Sequence, residues 1–115
     1  MINNLIEIRQ GDSFVITLHL IKQDKDLDLS GSTATLQVRT KDDTLVWSLE
    51  ADTVEAASGR LVFCITPQLS NIDLGDYLCD IQLQTADGSI NTIFPANVNQ
   101  VGIFRITKQI TKEDE

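Results

Sequence analysis

The stretch NIDLGDYLCDIQL, residues 71–83, decides the fold expected for this chain of 115 residues. Within it, Asp73, Gly75, Tyr77 and Cys79 follow one another at intervals of two. From Tyr77 onward every second residue is apolar or aromatic, and a period of two is typical of a β-strand with one buried face. We therefore assign structural roles to Gly75, Tyr77 and Cys79 within a long strand.

The same alternation recurs along most of the chain, in residues 13–21, 33–40, 44–50 and 60–67. Polar clusters that contain glycine or aspartate separate these runs at about ten-residue intervals, which is typical of strands joined by turns. About seven or eight short strands predict an all-β fold, an immunoglobulin-like antiparallel two-sheet β-sandwich. An up-and-down barrel is the alternative.

The spacing of Tyr77 and Cys79 matches that of immunoglobulin domains, where this cysteine bonds to one on the second strand. Here the second strand, residues 13–21, contains no cysteine, and the parity of the strand that holds Cys64 turns that thiol outward. Thiols on opposite faces are too far apart for a disulfide. We expect both cysteines to be free, and Tyr77 to form a tyrosine corner whose hydroxyl bonds nearby backbone.

Trp47 is the only tryptophan of the chain. Its parity with Leu45 and Leu49 predicts a core position on its strand. If a bulge intervenes, Val46 points inward instead, and an exposed tryptophan is a platform on which sugars stack. We assign Trp47 a structural role in the core.

The balance of charge excludes several partners. Nine Lys and Arg stand against seventeen Asp and Glu, a net charge of −8 that repels a nucleic-acid backbone. The longest apolar run, LVFCI at 61–65, is too short to span a membrane. The start, MINNLIEIRQGD, lacks the pattern of a secretory signal. We expect a soluble module that binds neither nucleic acid nor membrane.

Asp24, Asp26 and Asp28 alternate in a way that resembles the first half of a calcium-binding loop. The second half is missing, because Leu29 stands where the loop needs glycine and Thr35 where it needs glutamate. The segment predicts a solvated acidic hairpin without a metal.

No pattern of catalytic residues was found. His19, the only histidine, falls on the polar face of its strand, and no G-x-S-x-G stretch supplies a nucleophile. The two cysteines and one histidine lie on separate strands, and the glycines are scattered singly. We expect a protein that is not an enzyme and that uses no cofactor.

The order of these signals resembles a known family, the small immunoglobulin-like modules of tailed phages and prophages, including the N-terminal part of upper baseplate proteins. The matching stretches are IRQGDSFVITLHL (8–20), LDLSGSTATLQVRT (27–40), ASGRLVFCITPQLSNIDLGDYLCDIQL (57–83), ADGS (86–89) and GIFRITKQIT (102–111). The resemblance implies a virion structural protein of the tail or baseplate, assembled in the bacterial host cytoplasm. It also implies docking to other virion proteins, in repeated copies that form a homo-oligomer.

The first strand, LIEIRQ, and the last, GIFRITKQI, are the docking surfaces that we predict. Terminal strands often lie at sheet edges, where unpaired backbone groups accept a neighbouring chain. Both strands mix apolar and charged residues. The predicted interface residues are Ile6, Ile8, Arg9, Phe104 and Arg105.

The sequence departs from the family pattern at TIFPANVNQVGIF, residues 92–104. The segment from Pro95 to Gly102 fits either a long loop or a bulged edge strand. We take residues 1–108 as the domain and the charged residues 109–115 as a tail. Two other functions stay open: a head decoration or completion protein, and a bacterial carbohydrate-binding or adhesion module.

Overall fold

The computed structural model describes residues 4–95 and 99–108, so the predicted tail lies outside the described residues. The described part is built almost entirely from short strands. The strands are β1 (Leu5–Arg9), β2 (Phe14–His19), β3 (Ile21–Lys22), β4 (Lys25–Asp26), β5 (Thr33–Arg39), β6 (Leu45–Glu50), β7 (Arg60–Ile65), β8 (Gly75–Gln84), β9 (Ile90–Phe94) and β10 (Gly102–Thr107).

The larger sheet contains six strands. Five of them lie side by side in the order β1-β10-β8-β5-β6, and the sixth, β9, also pairs with β8. The long strand predicted from residues 71–83 is β8, at the centre of this sheet. One of its edges pairs with β5, and the other pairs with β10 along its first half and with β9 along its second. All of these pairings are antiparallel, whereas β1 runs parallel to β10.

The smaller sheet consists of β2 and β7, paired antiparallel. A separate hairpin of β3 and β4 follows β2, and its turn places Gln23 and Asp24 in the left-handed region. The prediction of an immunoglobulin-like two-sheet sandwich is confirmed, except that the β1–β10 pair is parallel.

The core lies between the two sheets and is formed by alternate residues of their facing strands. As parity predicted, Leu61, Phe63 and Ile65 of β7 point inward and are almost completely buried. The large sheet contributes Ala34, Leu36, Val38, Cys79, Ile81, Leu83, Phe104 and Ile106. Alternation therefore predicted correctly which face of β7 and β8 is buried, whereas Phe104 of β10 had been assigned to an interface.

Strand β2 is less buried than its sequence suggested. Ile16 and Leu18 pack against the core but are only half-buried, and Phe14 is 39% exposed. The reason is positional, since β2 pairs with β7 on one side only. Its inward face is thus left open at the margin of the sandwich.

A bulge changes the register of β6. Val38 lies opposite Trp47 and Arg39 opposite Leu45, which leaves Val46 without a direct partner on β5. The core position predicted for Leu45 is wrong, because this side chain is 47% exposed. The bulge does bring Val46 against the core, but Trp47 packs against the core as well, so Val46 does not replace it.

The segment from Pro95 to Gly102 follows β9, an edge strand with an irregular register opposite Ile81 and Gln82. A cis peptide bond joins Phe94 to Pro95, residues 96–98 are outside the described part, and the chain resumes β pairing at Gly102. A side chain at position 102 would collide with the carbonyl oxygen of Cys79. Glycine is therefore required where β10 meets β8.

A four-residue helix, α1 (Pro67–Ser70), connects β7 to the turn before β8. The Thr66 hydroxyl accepts a hydrogen bond from the Leu69 amide at 3.4 Å, and proline occupies the first helical position. A threonine cap and a proline at the first position are the residues that favour the start of a short helix. Among the described residues, no helix has the length and hydrophobicity needed to cross a bilayer.

Candidate docking surfaces

The turn before β8 has the geometry of a tyrosine corner. The Tyr77 hydroxyl donates a hydrogen bond of 2.7 Å to the carbonyl oxygen of Asp73, four residues upstream. Gly75 lies between them with φ of +133°, which side chains disfavour although the surrounding space is open. Burial, followed by the charge of Asp73, raises the pKa of Tyr77. The neutral phenol is thereby favoured, as a hydroxyl donor requires.

The two cysteines lie in opposite environments, as parity predicted. Cys79 is buried and Cys64 is exposed, and both are free. Burial, with a smaller effect from the charge of Asp80, raises the pKa of Cys79 to about 12. Because the thiolate is the reactive form, this thiol is a poor nucleophile at neutral pH.

Trp47 is held by contacts at two points of its ring system. Its indole N–H donates to the carbonyl oxygen of Leu69 at 2.9 Å. Its ring packs edge-on against Phe104, with the centroids 5.6 Å apart and the planes at 89°. The side chain thus links β6 to α1 and to the core, which favours the structural interpretation over a free sugar-binding platform.

The three alternating aspartates do not converge on a common point. Asp24 occupies the turn between β3 and β4, and Asp26 lies 2.7 Å from Nε2 of His19. Asp28 accepts hydrogen bonds from the amide and hydroxyl of Ser30, which lower its pKa. The carboxylates of Asp26 and Asp28 therefore serve separate local contacts.

Strand β1 lies at one end of the large sheet, so the prediction that the first strand is an edge is confirmed. Its exposed residues are Glu7 and Arg9. Ile6 and Ile8 are 9% and 4% exposed and belong to the core. The predicted interface role of Ile6 is therefore wrong, because parity turns its side chain toward the facing sheet. The role of Ile8, which also lines a concave surface at the end of β1, stays a prediction.

Strand β10 is interior, which contradicts the prediction that the last strand lies at an edge. It is flanked by β1 and by β8, because the first strand folds back and runs parallel along its outer side. Phe104 is 0% exposed, so it cannot contact a partner.

Arg105, the other predicted interface residue of β10, is engaged within the sheet. Its Nε donates to Asp76 Oδ1 at 2.8 Å and its Nη2 to Oδ2 at 3.2 Å. Nη1 lies 3.8 Å from a carboxylate oxygen of Glu7. The bidentate bond to Arg105 lowers the pKa of Asp76. This arginine cross-links β8, β10 and β1 on the outer face.

A concave surface of about 490 Å³ joins the end of β1 to the start of β2. Only Ile8 and Arg9 of the predicted interface contribute to it. The other lining residues were not predicted, although the sequence Gly-Asp-Ser at 11–13 indicates a turn before β2. The lining residues are Glu7, Ile8, Arg9, Asp12, Ser13, Phe14 and Thr107.

A second concave surface, of about 330 Å³, lies on the outer face of the large sheet. Arg39 crosses it and donates to the side chain of Gln37 and to the backbone carbonyl of Asp43. Asp80 also lines it, and burial raises the pKa of this carboxyl against the opposing effect of Arg39. No feature of the sequence singled out this cluster.

Comparison with known proteins identifies the family. A sequence model described as the BppU N-terminal domain matches residues 1–99. The chain belongs to the BppU N-terminal domain family. This confirms the resemblance to upper baseplate proteins and gives the chain a structural role in the phage baseplate or tail, as a virion component associated with other virion proteins.

Solved structures reproduce the fold of this BppU-type domain. The N-terminal domain of ORF48 of phage TP901-1 is 11% identical with a TM-score of 0.55, covering 90% of this chain and 85% of that one. CopC from Methylosinus trichosporium OB3b is also 11% identical, with a TM-score of 0.51 and coverage of 93% and 87%. At these identities the likeness concerns the fold alone. A comparison with curated protein sequences gave no match.

Proposed function

We propose that this domain is a non-enzymatic docking module that binds neighbouring baseplate proteins through the edge of β1 and the adjoining concave surface. The proposal rests on the fact that the β1 edge and the concave surface adjoin each other. The edge strand ends at Arg9, and Arg9 and Phe14 line the same depression. An open row of backbone groups thus borders a cavity with one cationic and one aromatic side chain.

The chemistry of this surface suits a protein partner. The outer side of β1 offers amide and carbonyl groups that an added strand pairs with, while side chains in the depression supply specificity. Arginine and aromatic residues are enriched at protein interfaces. In an assembly that repeats the contact around a ring, weak individual contacts combine into high avidity.

Several contacts support the absence of catalysis in this proposal. The Cys79 thiol is buried with a raised pKa, and His19 is paired with Asp26 at the sheet margin. In residues 4–95 and 99–108, no three His, Cys, Asp or Glu side chains are grouped to hold a metal. The exposed free thiol of Cys64 fits assembly in a reducing host cytoplasm.

The experiment combines mass spectrometry of purified virions with co-purification of the chain and the baseplate proteins encoded beside it. The test variant is Arg9→Glu, and the matched control is Lys25→Glu on the β3–β4 hairpin, which makes the same change of charge at an exposed site. We expect Arg9→Glu to weaken binding about tenfold while the control binds normally.

Urea unfolding of both variants should match that of the unmodified chain, because both side chains are exposed. If the protein is missing from virions and co-purifies with none of these proteins, docking is refuted. If both variants bind equally well, the β1 edge is the wrong surface.

A further inference from the structure

The β6 and β9 edges of the large sheet carry features that discourage strand addition, unlike the β1 edge. A bulge at Val46 interrupts β6, and β9 has an irregular register and is followed by Pro95. Bulges and prolines are among the usual means by which proteins block edge-to-edge pairing.

Strand β2, at the edge of the small sheet, has none of these features between residues 14 and 18. All five side chains there are uncharged, and Val15 is 59% exposed. Ile16 and Leu18 are half-buried on the inward face, although the adjacent β7 is buried at its inward positions. The inward face of the small sheet is therefore well buried at β7 but only partly buried at β2.

The backbone groups of β2 that face away from β7 follow from the register. The Leu20 amide donates to the Gly59 carbonyl oxygen at 2.8 Å, toward the β7 side. In an antiparallel pair, residues that bond to the partner alternate with residues that point away. The outward N–H and C=O groups therefore belong to Val15, Thr17 and His19, with Thr17 in the middle.

We propose that a second copy of this chain pairs antiparallel with β2, edge to edge, about a twofold axis at Thr17. Thr17 then faces its own counterpart, with reciprocal N–H to C=O bonds. Ile16 faces Leu18 of the second copy on the inward side, and Val15 faces His19 on the outward side. The two small sheets become one four-stranded sheet.

Charge favours a second copy as the occupant of this edge. The net charge of −8 makes two copies repel across most of their surface, but residues 13–23 contain no Asp or Glu. Self-pairing of β2 therefore places no acidic side chains opposite each other. It also sets aliphatic against aliphatic and threonine against threonine, pairs that stabilise antiparallel sheets.

This contact lies outside the β1 surface and rests on the proposed function only in that strand edges serve for docking. It is tested on the isolated chain, so its failure leaves docking to virion proteins at β1 intact. The measurement is sedimentation velocity and light scattering between about 1 µM and about 1 mM, a range that covers weak to moderate affinity. The average mass should rise with concentration from 12.8 kDa toward twice that value.

Three variants locate the contact. Thr17→Pro removes an outward amide while leaving the β7 ladder intact, so it should stay monomeric throughout. Thr17→Lys and Thr17→Glu each place like charges opposite each other and should weaken the dimer about fivefold. An equal mixture of these two charged variants should restore association, because unlike charges then face each other.

The matched control places Lys or Glu at Thr92, an exposed threonine on the β9 edge, and should dimerise like the unmodified chain. Far-ultraviolet circular dichroism of every variant checks the fold. A wild-type chain that stays monomeric up to 1 mM overturns the proposal, and a strand of another protein is then the occupant. A dimer that Thr17→Pro leaves intact also overturns it.

Discussion

Strands β2 and β10 have similar sequences in one respect and opposite positions in the fold. Both alternate apolar residues with polar or smaller ones, yet β10 is flanked on both sides whereas β2 is paired only with β7. Phe104 of β10 is completely buried, and Phe14 of β2 is 39% exposed. The comparison teaches that alternation identifies the buried face of a strand but not its neighbours in the sheet.

The comparison also separates stability from association. In the large sheet, β1 pairs with the outer edge of β10, and this sheet contributes most of the core. The small sheet ends at β2, where apolar side chains are partly exposed and one row of backbone groups faces away from β7. We expect changes in β10 to affect folding and changes at the edge of β2 to affect contacts between molecules.

The largest expected effect is that of Phe104→Ala, which leaves a cavity beneath Trp47 and should lower the free energy of unfolding by about 3–5 kcal/mol. Phe14→Ala is the matched control, and it should lower this free energy by only about 1–2 kcal/mol because its ring is partly in water. Urea unfolding measures both. Equal losses for the two variants would remove the distinction between the strands.

A smaller effect is expected at alkaline pH, from the Cys79 thiol opposite the start of β10. Its pKa is about 12 in the folded chain against 9.0 as reference, so the folded form keeps the proton after the unfolded form has lost it. The resulting stability is complete below pH 9 and is lost as the pH rises toward 12. At pH 10.5 the loss should be about 2 kcal/mol.

The control for this pH dependence is a pair of variants. Cys79→Ala should abolish the part of the slope that the thiol causes, whereas Cys64→Ser should retain it, because Cys64 is exposed. Urea unfolding between pH 8 and 11 provides the measurement. Identical slopes in all three proteins would mean that the thiol of Cys79 does not titrate differently on folding.

The smallest effect is that of Tyr77→Phe, which removes one hydrogen bond to Asp73 and keeps the ring. The loss in unfolding free energy should be about 0.5–1.5 kcal/mol. It sharpens the comparison because Tyr77 pairs with Phe104 across β8 and β10, so the turn supports the strand that the core depends on. A silent variant would mean that the corner bond contributes nothing to the sheet.

The sequence predicted those features that depend on local periodicity. The buried faces of β5, β7 and β8 and the separation of the two thiols follow from parity, and the tyrosine corner at Tyr77 follows from the chemistry of a single turn. These features need only neighbouring residues. The first strand, LIEIRQ, was also placed correctly at an edge.

The features that depend on distant pairing were not predictable in this way. Ile6, Ile8 and Phe104 were assigned to an interface because terminal strands often lie at edges, but all three side chains point toward the facing sheet and belong to the core. The exposure of Leu45 depends on one unpaired residue, Val46, which alternation cannot reveal. The depression beside Arg9 combines two segments of different sheets, and only the folded arrangement brings Phe14 to it.

The central claim is that β10 is hydrogen-bonded along both edges within the chain, whereas β2 is hydrogen-bonded along one edge only. Amide hydrogen exchange tests this claim most directly, when it is resolved by residue with NMR at a concentration dilute enough for the monomer. The outward amides of Val15, Thr17 and His19 should exchange rapidly, while the amides of Ile16 and Leu18 and those of β10 should be protected. Equal protection of Val15, Thr17 and β10 would contradict the account, because the edge of β2 would then be covered within the chain itself.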